Sequence, residues 1–146
     1  LKRLGLSGRI RSVFQPETML PSAGQGALGI EVRSDRADVV AALAPLVHHE
    51  TWLAVAAERA VSRAMGGSCS MPLAAFATLN GRVLDLRAAW GDADGTLPVV
   101  QTRASAEVAD VEQASALGAR VATDLRAAVL AGGGQVSERS EPTGHG

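Results

Sequence analysis

The stretch Leu73–Trp90, with the sequence LAAFATLNGRVLDLRAAW, decides the fold of this chain. In both halves, the residues that face one side of a strand differ in polarity or size from those that face the other, and this period of two is typical of half-buried β-strands. Asn80-Gly81 lies between the halves, and this dipeptide is a strong signal for the turn of a β-hairpin. We therefore predict antiparallel strands over residues 73–79 and 83–90. On the second strand, one face carries Leu84, Leu86, Ala88 and Trp90.

A third strand and a long helix are predicted after the hairpin. Residues 97–103 form the strand, and Pro98 places it at a sheet edge because proline cannot donate a ladder hydrogen bond. Ser105 is expected to cap the helix, whose apolar residues recur every three or four positions up to the glycines at 132–134. The strands therefore form a three-stranded antiparallel meander.

A second long helix is predicted before the hairpin, over residues 49–65. Its broad apolar face is opposed by a polar face marked by Glu58, Arg59 and Arg63. His48 and His49 are adjacent, and consecutive helical positions point about 100° apart, which disfavours a shared metal ion and favours capping or surface roles. The predicted fold class is α+β, with helices covering a small antiparallel sheet.

The region before residue 47 shows shorter signals. Residues 1–6 are typical of a helix end with Gly5 as the stop, and residues 28–32 alternate as a strand. Ser34 or Asp35 is predicted to cap a short helix that ends near Pro45. The strand would have an unpaired edge if nothing else were present, so this region is interpreted as fragments of another unit.

Gln25 lies between Gly24 and Gly26, which predicts close backbone approach or positive φ. A phosphate-binding loop is disfavoured, because a third glycine and a following helix are missing.

Composition narrows the function classes. The 146 residues are 47% hydrophobic and 20% charged with a net charge of −1, which is typical of a globular protein. A net charge of −1 gives no sign of a basic surface for nucleic acid, and with only 3% aromatic residues a platform for base stacking is not expected either. No apolar run has the length of a membrane span, and one cysteine forms no internal disulfide, so we expect a cytoplasmic protein and no membrane partner.

That cysteine, Cys69, follows the glycine pair Gly66-Gly67 at a predicted helix end. Three roles are possible: a small packed residue, a catalytic nucleophile, or a permanent attachment point. The C-terminal helix dipole disfavours a thiolate, and His48 and His49 lie about 25 Å away at the other helix end, which weakens the nucleophile hypothesis. The other two roles stay open on these grounds.

Residues 1–131 resemble the C-terminal part of the porphobilinogen deaminase (hydroxymethylbilane synthase) family. The matching stretches occur in the family's order and at its spacing, and together they are specific. They are LKRLGL at 1–6, LPSAGQGALGIE at 20–31, HHET at 48–51, AERA at 57–60 and GGSCSMPL at 66–73.

The resemblance implies a piece of a three-domain protein whose first two domains are similar to periplasmic binding proteins. Residues 1–46 would then contain only parts of these two domains. Residues 1 to about 26 would be the end of domain 2, and residues 27–46 would return to domain 1. Residues 47–134 would be the cofactor-anchoring α+β domain, followed by a disordered tail at 135–146. The orphan strand at 28–32 would find its partners in the N-terminal part of such a protein.

The family's chemistry implies a dipyrromethane cofactor bound to Cys69 as a thioether. Four porphobilinogen units would be joined to it with loss of ammonia and released as hydroxymethylbilane. Arg3 would bind a carboxylate, Gln25 would lie beside the cofactor, and Gly67 and Ser68 would shape the loop around Cys69. No catalytic residue is assigned to this chain, so we expect it to be inactive alone and to be part of a monomer at full length.

Two other classes remain as alternatives. One is a non-catalytic α+β binding or regulatory domain in which Cys69 is incidental. The other is a cysteine-dependent hydrolase or transferase.

Overall fold

The computed structural model describes residues 1–67 and 71–136. Three short 3₁₀ helices lie at Lys2–Leu4, Ser7–Arg9 and Ala44–Leu46. The longer elements, in chain order, are α1 (Ala37–Leu43), α2 (His49–Ala64), β1 (Leu73–Asn80), β2 (Val83–Trp90), β3 (Val100–Glu107) and α3 (Val111–Ala131).

The three strands form an antiparallel sheet in the order β1-β2-β3, which confirms the predicted meander and the α+β class. β2 has the predicted bounds, and β1 is one residue longer than predicted. Asn80 pairs with Val83, so the two-residue loop is Gly81-Arg82. Gly81 occupies the first loop position with φ 63°, a conformation that suits glycine.

The third strand lies at a sheet edge as predicted, but its predicted bounds of 97–103 and the predicted helix cap Ser105 were wrong. β3 begins at Val100, because Pro98 cannot donate to the ladder, and it continues through Ser105. Ser105 pairs with Asp85 of β2, and its hydroxyl donates to the Asp85 carboxylate at 2.8 Å. The cap of α3 is Asp110, whose Oδ1 accepts the Gln113 N–H at 2.8 Å.

α2 and α3 cover one face of the sheet and enclose the core. The predicted apolar face of β2 is buried there against apolar side chains of both helices. The helices approach closely at Gly118 of α3, where an added Cβ would lie 2.3 Å from the Ala57 carbonyl oxygen of α2. Gly118 therefore allows a contact that any side chain would prevent.

Residues 1–46 are mostly irregular. The predicted strand at 28–32 is absent, and Leu28 is 97% exposed, because no described segment pairs with this stretch as a partner strand. The predicted cap of α1 was also wrong: the position is Arg36, whose guanidinium pairs with Asp38 at 2.8 Å. The predicted stop at Gly5 is confirmed, since it ends the first 3₁₀ helix with φ 69°.

Val136, near the end of the described residues, packs against the core. Residues 137–146, which fall in the predicted tail, lie outside the described residues. Within the described ranges no single helix is long and apolar enough to cross a membrane. Taken together, the helical segments Ala37–Leu46 and His49–Ala64 reach the length and composition of a membrane span, but they are bent by 106° relative to each other.

Candidate functional site

The end of α2 leads directly into residues 66–72, here called the anchor loop, of which residues 66, 67, 71 and 72 are described. The Gly67 N–H donates to the Ser62 carbonyl at 2.8 Å, and the Gly66 N–H donates to Arg63 at 3.3 Å. Gly66 and Gly67 have φ of 114° and 62°, and the pair of bonds is the Schellman arrangement that ends helices. The predicted helix stop is confirmed, whereas Ser68 and Cys69 lie outside the described residues.

A side chain of α3 supports the start of the anchor loop. The Arg126 guanidinium donates to the carbonyl of Ala64, the last residue of α2. A cation at a helix C-terminus is favourable because the carbonyl groups there are unpaired and carry partial negative charge. The helix end before Cys69 is thus bonded to a second element of the domain.

The other end of the anchor loop is bonded to the sheet. The Pro72 carbonyl accepts the Gly91 N–H at 2.8 Å, just beyond the end of β2. A groove of about 470 Å³ opens beside Met71 and Pro72 and is also lined by Trp90, Asp92 and Gly134. Open space therefore adjoins the described end of the anchor loop.

Residues 22–26, here called the Gln25 loop, form a tight turn. Gly24 and Gly26 have φ of 72° and 84°, which confirms the predicted positive φ on both sides of Gln25. The Gln25 Oε1 accepts the Ser22 N–H at 3.2 Å and lies 3.3 Å from the Ser22 hydroxyl. Gln25 is exposed, and its own side chain closes the loop.

Glu58 was predicted on the polar face of α2, and that prediction was wrong. Glu58 is 5% exposed, because the Gln25 loop and β1 cover this side of the helix. Its Oε2 accepts the Gly24 N–H at 2.7 Å, and its Oε1 accepts the Ala77 N–H at 2.8 Å. Burial raises the pKa of Glu58, although these two hydrogen bonds oppose the shift. The available signal was its spacing of three from the buried Val61, which places both on one helix face.

Two further contacts connect the N-terminal region with the sheet. The Pro21 carbonyl accepts the Ala75 N–H at 3.1 Å, so it binds a free N–H of the edge strand β1. Arg87 of β2 pairs with Glu17 at 3.1 Å and lies over the ring of Phe76, 5.9 Å from its centroid. A second groove, of about 320 Å³, lies between the Gln25 loop, α2 and β1.

The sequence-predicted site residues are only partly brought together. The Gln25 loop contacts the middle of α2 at Glu58, whereas Gly67 lies beyond the C-terminal end of α2. Nine residues separate Glu58 from Gly67, which corresponds to about 14 Å at the rise per residue of a helix. Arg3 is exposed in the first 3₁₀ helix and makes no side-chain hydrogen bond to the rest of the described chain. No hydrogen bond joins Arg3, Gln25 and Gly67 within residues 1–67 and 71–136.

His48 has the capping role that was expected. Its Nδ1 accepts the Thr51 N–H at 3.3 Å and lies 2.8 Å from the Thr51 hydroxyl. Among the described residues, no group of three or more His, Cys, Asp or Glu side chains could hold a metal ion.

Two family models match the chain. Residues 1–41 match the dipyromethane cofactor binding domain of porphobilinogen deaminase, and residues 52–127 match the C-terminal domain of porphobilinogen deaminase. The border between the two matches falls around the start of α2. Glu58 therefore bonds a residue of the first match, Gly24, to the second.

Curated relatives agree with these matches. The chain is 69% identical over 144 residues to a porphobilinogen deaminase of Albidiferax ferrireducens, which covers 99% of the chain and 46% of that protein. It is 57% identical over 125 residues to a porphobilinogen deaminase of Paraburkholderia phytofirmans, and this match covers 86% of the chain and 36% of that protein. It is 59% identical over 126 residues to a porphobilinogen deaminase of Ralstonia nicotianae, and this match covers 86% of the chain and 37% of that protein.

The chain thus spans less than half the length of these relatives. The family's cofactor-binding domain and its C-terminal domain both have their counterparts here, in that order. On these matches, the chain belongs to the porphobilinogen deaminase family.

Proposed function

We propose that this chain is the cofactor-anchoring part of a hydroxymethylbilane synthase, an enzyme of tetrapyrrole synthesis. Four porphobilinogen units would be added in turn to a dipyrromethane held by Cys69 as a thioether, each with loss of one ammonia, and water would then cleave the tetrapyrrole from the dipyrromethane as hydroxymethylbilane. One observation carries the proposal: the single cysteine of the chain follows the Schellman motif that ends α2, within the region that matches the family's C-terminal domain.

The residues present fit a dipyrromethane. Such a group is bulky, and Gly66 and Gly67 keep side chains away from the start of the anchor loop while a groove of about 470 Å³ lies beside its end. The group also carries carboxylates, which pair well with a guanidinium. Arg3 is exposed and would be that partner, and Gln25, Gly67 and Ser68 would contribute to holding the cofactor.

Cys69 would hold the dipyrromethane, which when bound would supply a free pyrrole carbon as the point of attachment for porphobilinogen. Cys69 needs no depressed pKa for this role, because a permanent thioether is not a nucleophile in each turnover. Its position after a helix C-terminus, which disfavours a thiolate, is compatible with an anchor.

The remaining steps are assigned to residues outside this chain. Proton transfer and the stabilisation of positive charge on the pyrrole need a well-placed carboxylate. The relatives are more than twice as long as the chain, and we expect that group in their N-terminal part. The chain alone is therefore expected to be inactive, and the whole protein to be a cytoplasmic monomer.

A chimera tests this proposal. The chain replaces the matching 144-residue part of the Albidiferax ferrireducens relative, and consumption of porphobilinogen and release of ammonia are measured. We expect turnover in the chimera, none in the 146-residue chain, and none in the chimera with Cys69→Ser. Cys69→Ala serves as a second control, because serine could retain weak nucleophilicity. Turnover at the wild-type rate in both cysteine variants would refute the anchor and favour an incidental cysteine.

A further inference from the structure

Glu58 is the one buried charged side chain among the described residues, and both of its carboxylate oxygens are used. They accept backbone N–H groups from two distant parts of the chain, Gly24 and Ala77. The first donor lies 34 residues before Glu58 and the second 19 residues after it. The carboxylate therefore joins the Gln25 loop, α2 and β1 at one point.

Among the described residues, the hydrogen bond from Gly24 to Glu58 is the side-chain bond that connects the Gln25 loop with α2. A buried carboxylate loses its hydration, so it persists only where charge-assisted hydrogen bonds replace the lost water. The other side-chain contact of this region, between Glu17 and Arg87, is a surface ion pair, and such pairs contribute little. Gly24 lies close against α2, since a Cβ there would be 3.8 Å from Val55.

We propose that Glu58 is a positioning residue that fixes the Gln25 loop on α2 and so sets its distance from the anchor loop. Both loops are attached to the same helix, the first through Glu58 and the second through the Schellman motif at Gly67. Glu58 acts on the Gln25 loop through its hydrogen bond to the Gly24 backbone, so its role is to position the loop. Its catalytic consequence rests on the proposed function, whereas its structural role does not.

Amide hydrogen exchange of the 146-residue chain tests the structural role. Glu58→Gln leaves one carbonyl oxygen for two N–H donors and turns an NH₂ group towards one of them. We expect the Gly24 and Ala77 amides to exchange about 10- to 100-fold faster in this variant, as for loss of a bond to a charged acceptor. The control is Glu107→Gln, the same change at an exposed position at the end of β3, which should leave both rates unchanged.

Two outcomes would overturn the structural role. One is an unchanged Gly24 rate in folded Glu58→Gln, with circular dichroism reporting the fold. The other is a Gly24 amide that exchanges in the unsubstituted chain as fast as in an unstructured peptide. The second comparison needs no variant, so it decides the matter even if Glu58→Gln does not fold.

The catalytic consequence is tested in the chimera described above. With Glu58→Gln we expect KM for porphobilinogen to rise about tenfold while the cofactor mass on the protein is retained, because a binding loop is displaced and the anchor is not. An unchanged KM would overturn the positioning role in catalysis. An inactive unsubstituted chimera would refute the proposed function, and the exchange data would then still decide the structural role of Glu58.

Discussion

Residues 47–136 and residues 1–46 contain similar apolar residues but use them differently. Every buried apolar side chain of the described chain lies between Leu53 and Val129. Large apolar side chains before residue 47 are mostly exposed, among them Phe14 at 62% and Leu28 at 97%. Alternating apolar residues therefore form a strand at 73–80 and 83–90, where a partner strand and two helices cover them, but not at 28–32.

The largest expected effect comes from opening the core of the C-terminal region. Leu86 of β2 is fully buried between the sheet and the helices. We expect Leu86→Ala to lower the free energy of unfolding by about 2–5 kcal/mol, from lost burial and a residual cavity. Urea denaturation followed by circular dichroism measures this, and a loss below about 1 kcal/mol would show that the core is loosely packed.

The contact between the helices gives the next largest effect. Helix propensity alone predicts that Gly118→Ala stabilises α3 by about 1 kcal/mol. Because the new Cβ would lie 2.3 Å from the Ala57 carbonyl oxygen, we expect instead a loss of about 1–3 kcal/mol. The control is Ala119→Gly at an exposed neighbouring position, which should cost about 0.5–1 kcal/mol from propensity alone. Stabilisation by Gly118→Ala would refute the close approach of α2 and α3.

Glu58, at the border of the two regions, should give stability an unusual pH dependence. Burial raises its pKa above the ordinary value of 4.5, so the folded chain binds this proton more strongly than the unfolded chain. The stabilising contribution that Glu58 makes to the free energy of unfolding is therefore fully present below pH 4.5, and it declines as the pH rises through the pKa of Glu58 in the folded chain. The slope is at most about 1.4 kcal/mol per pH unit.

Unfolding of the chain and of Glu58→Gln between pH 4 and pH 8 measures that slope. The stability difference, chain minus variant, should decrease as pH rises above 4.5 and then become constant. An increase over the same range would mean that the two N–H donors outweigh burial and that the pKa of Glu58 is lowered.

The smallest effect is expected in the N-terminal region. Leu28 contacts almost nothing, so Leu28→Ala should change the stability of this chain by less than about 0.5 kcal/mol. In the chimera, where we expect residues 28–32 to pair as a strand, the same change should cost clearly more. Equal effects in the two proteins would show that this stretch gains no partner from the longer chain.

Much of the C-terminal domain could be predicted because its signals are local. Alternation around Asn80-Gly81 indicates both the hairpin and the bounds of β2, and the period of the long helices indicates α2 and α3. Ser105 misled because serine suits both a strand facing Asp85 and a helix cap, and pairing with β2 decided between them. Such long-range pairing is not visible in a short stretch.

The site was harder to predict for the same reason. Positive φ around Gln25 and the helix stop at Gly66-Gly67 follow from glycine itself. The burial of Glu58 depends on a loop 34 residues away and on the free edge of β1, and its only local signal was the spacing of three from Val61. The alternation at 28–32 predicts a strand, but among the described residues no segment pairs with it.

The most direct test of the central claim, that Cys69 anchors a dipyrromethane, is the intact mass of the denatured chimera. The account predicts a mass above that of the polypeptide by one dipyrromethane, which is absent in Cys69→Ser and maps to the peptide that contains Cys69. An unmodified Cys69 in a chimera that turns over porphobilinogen would contradict it.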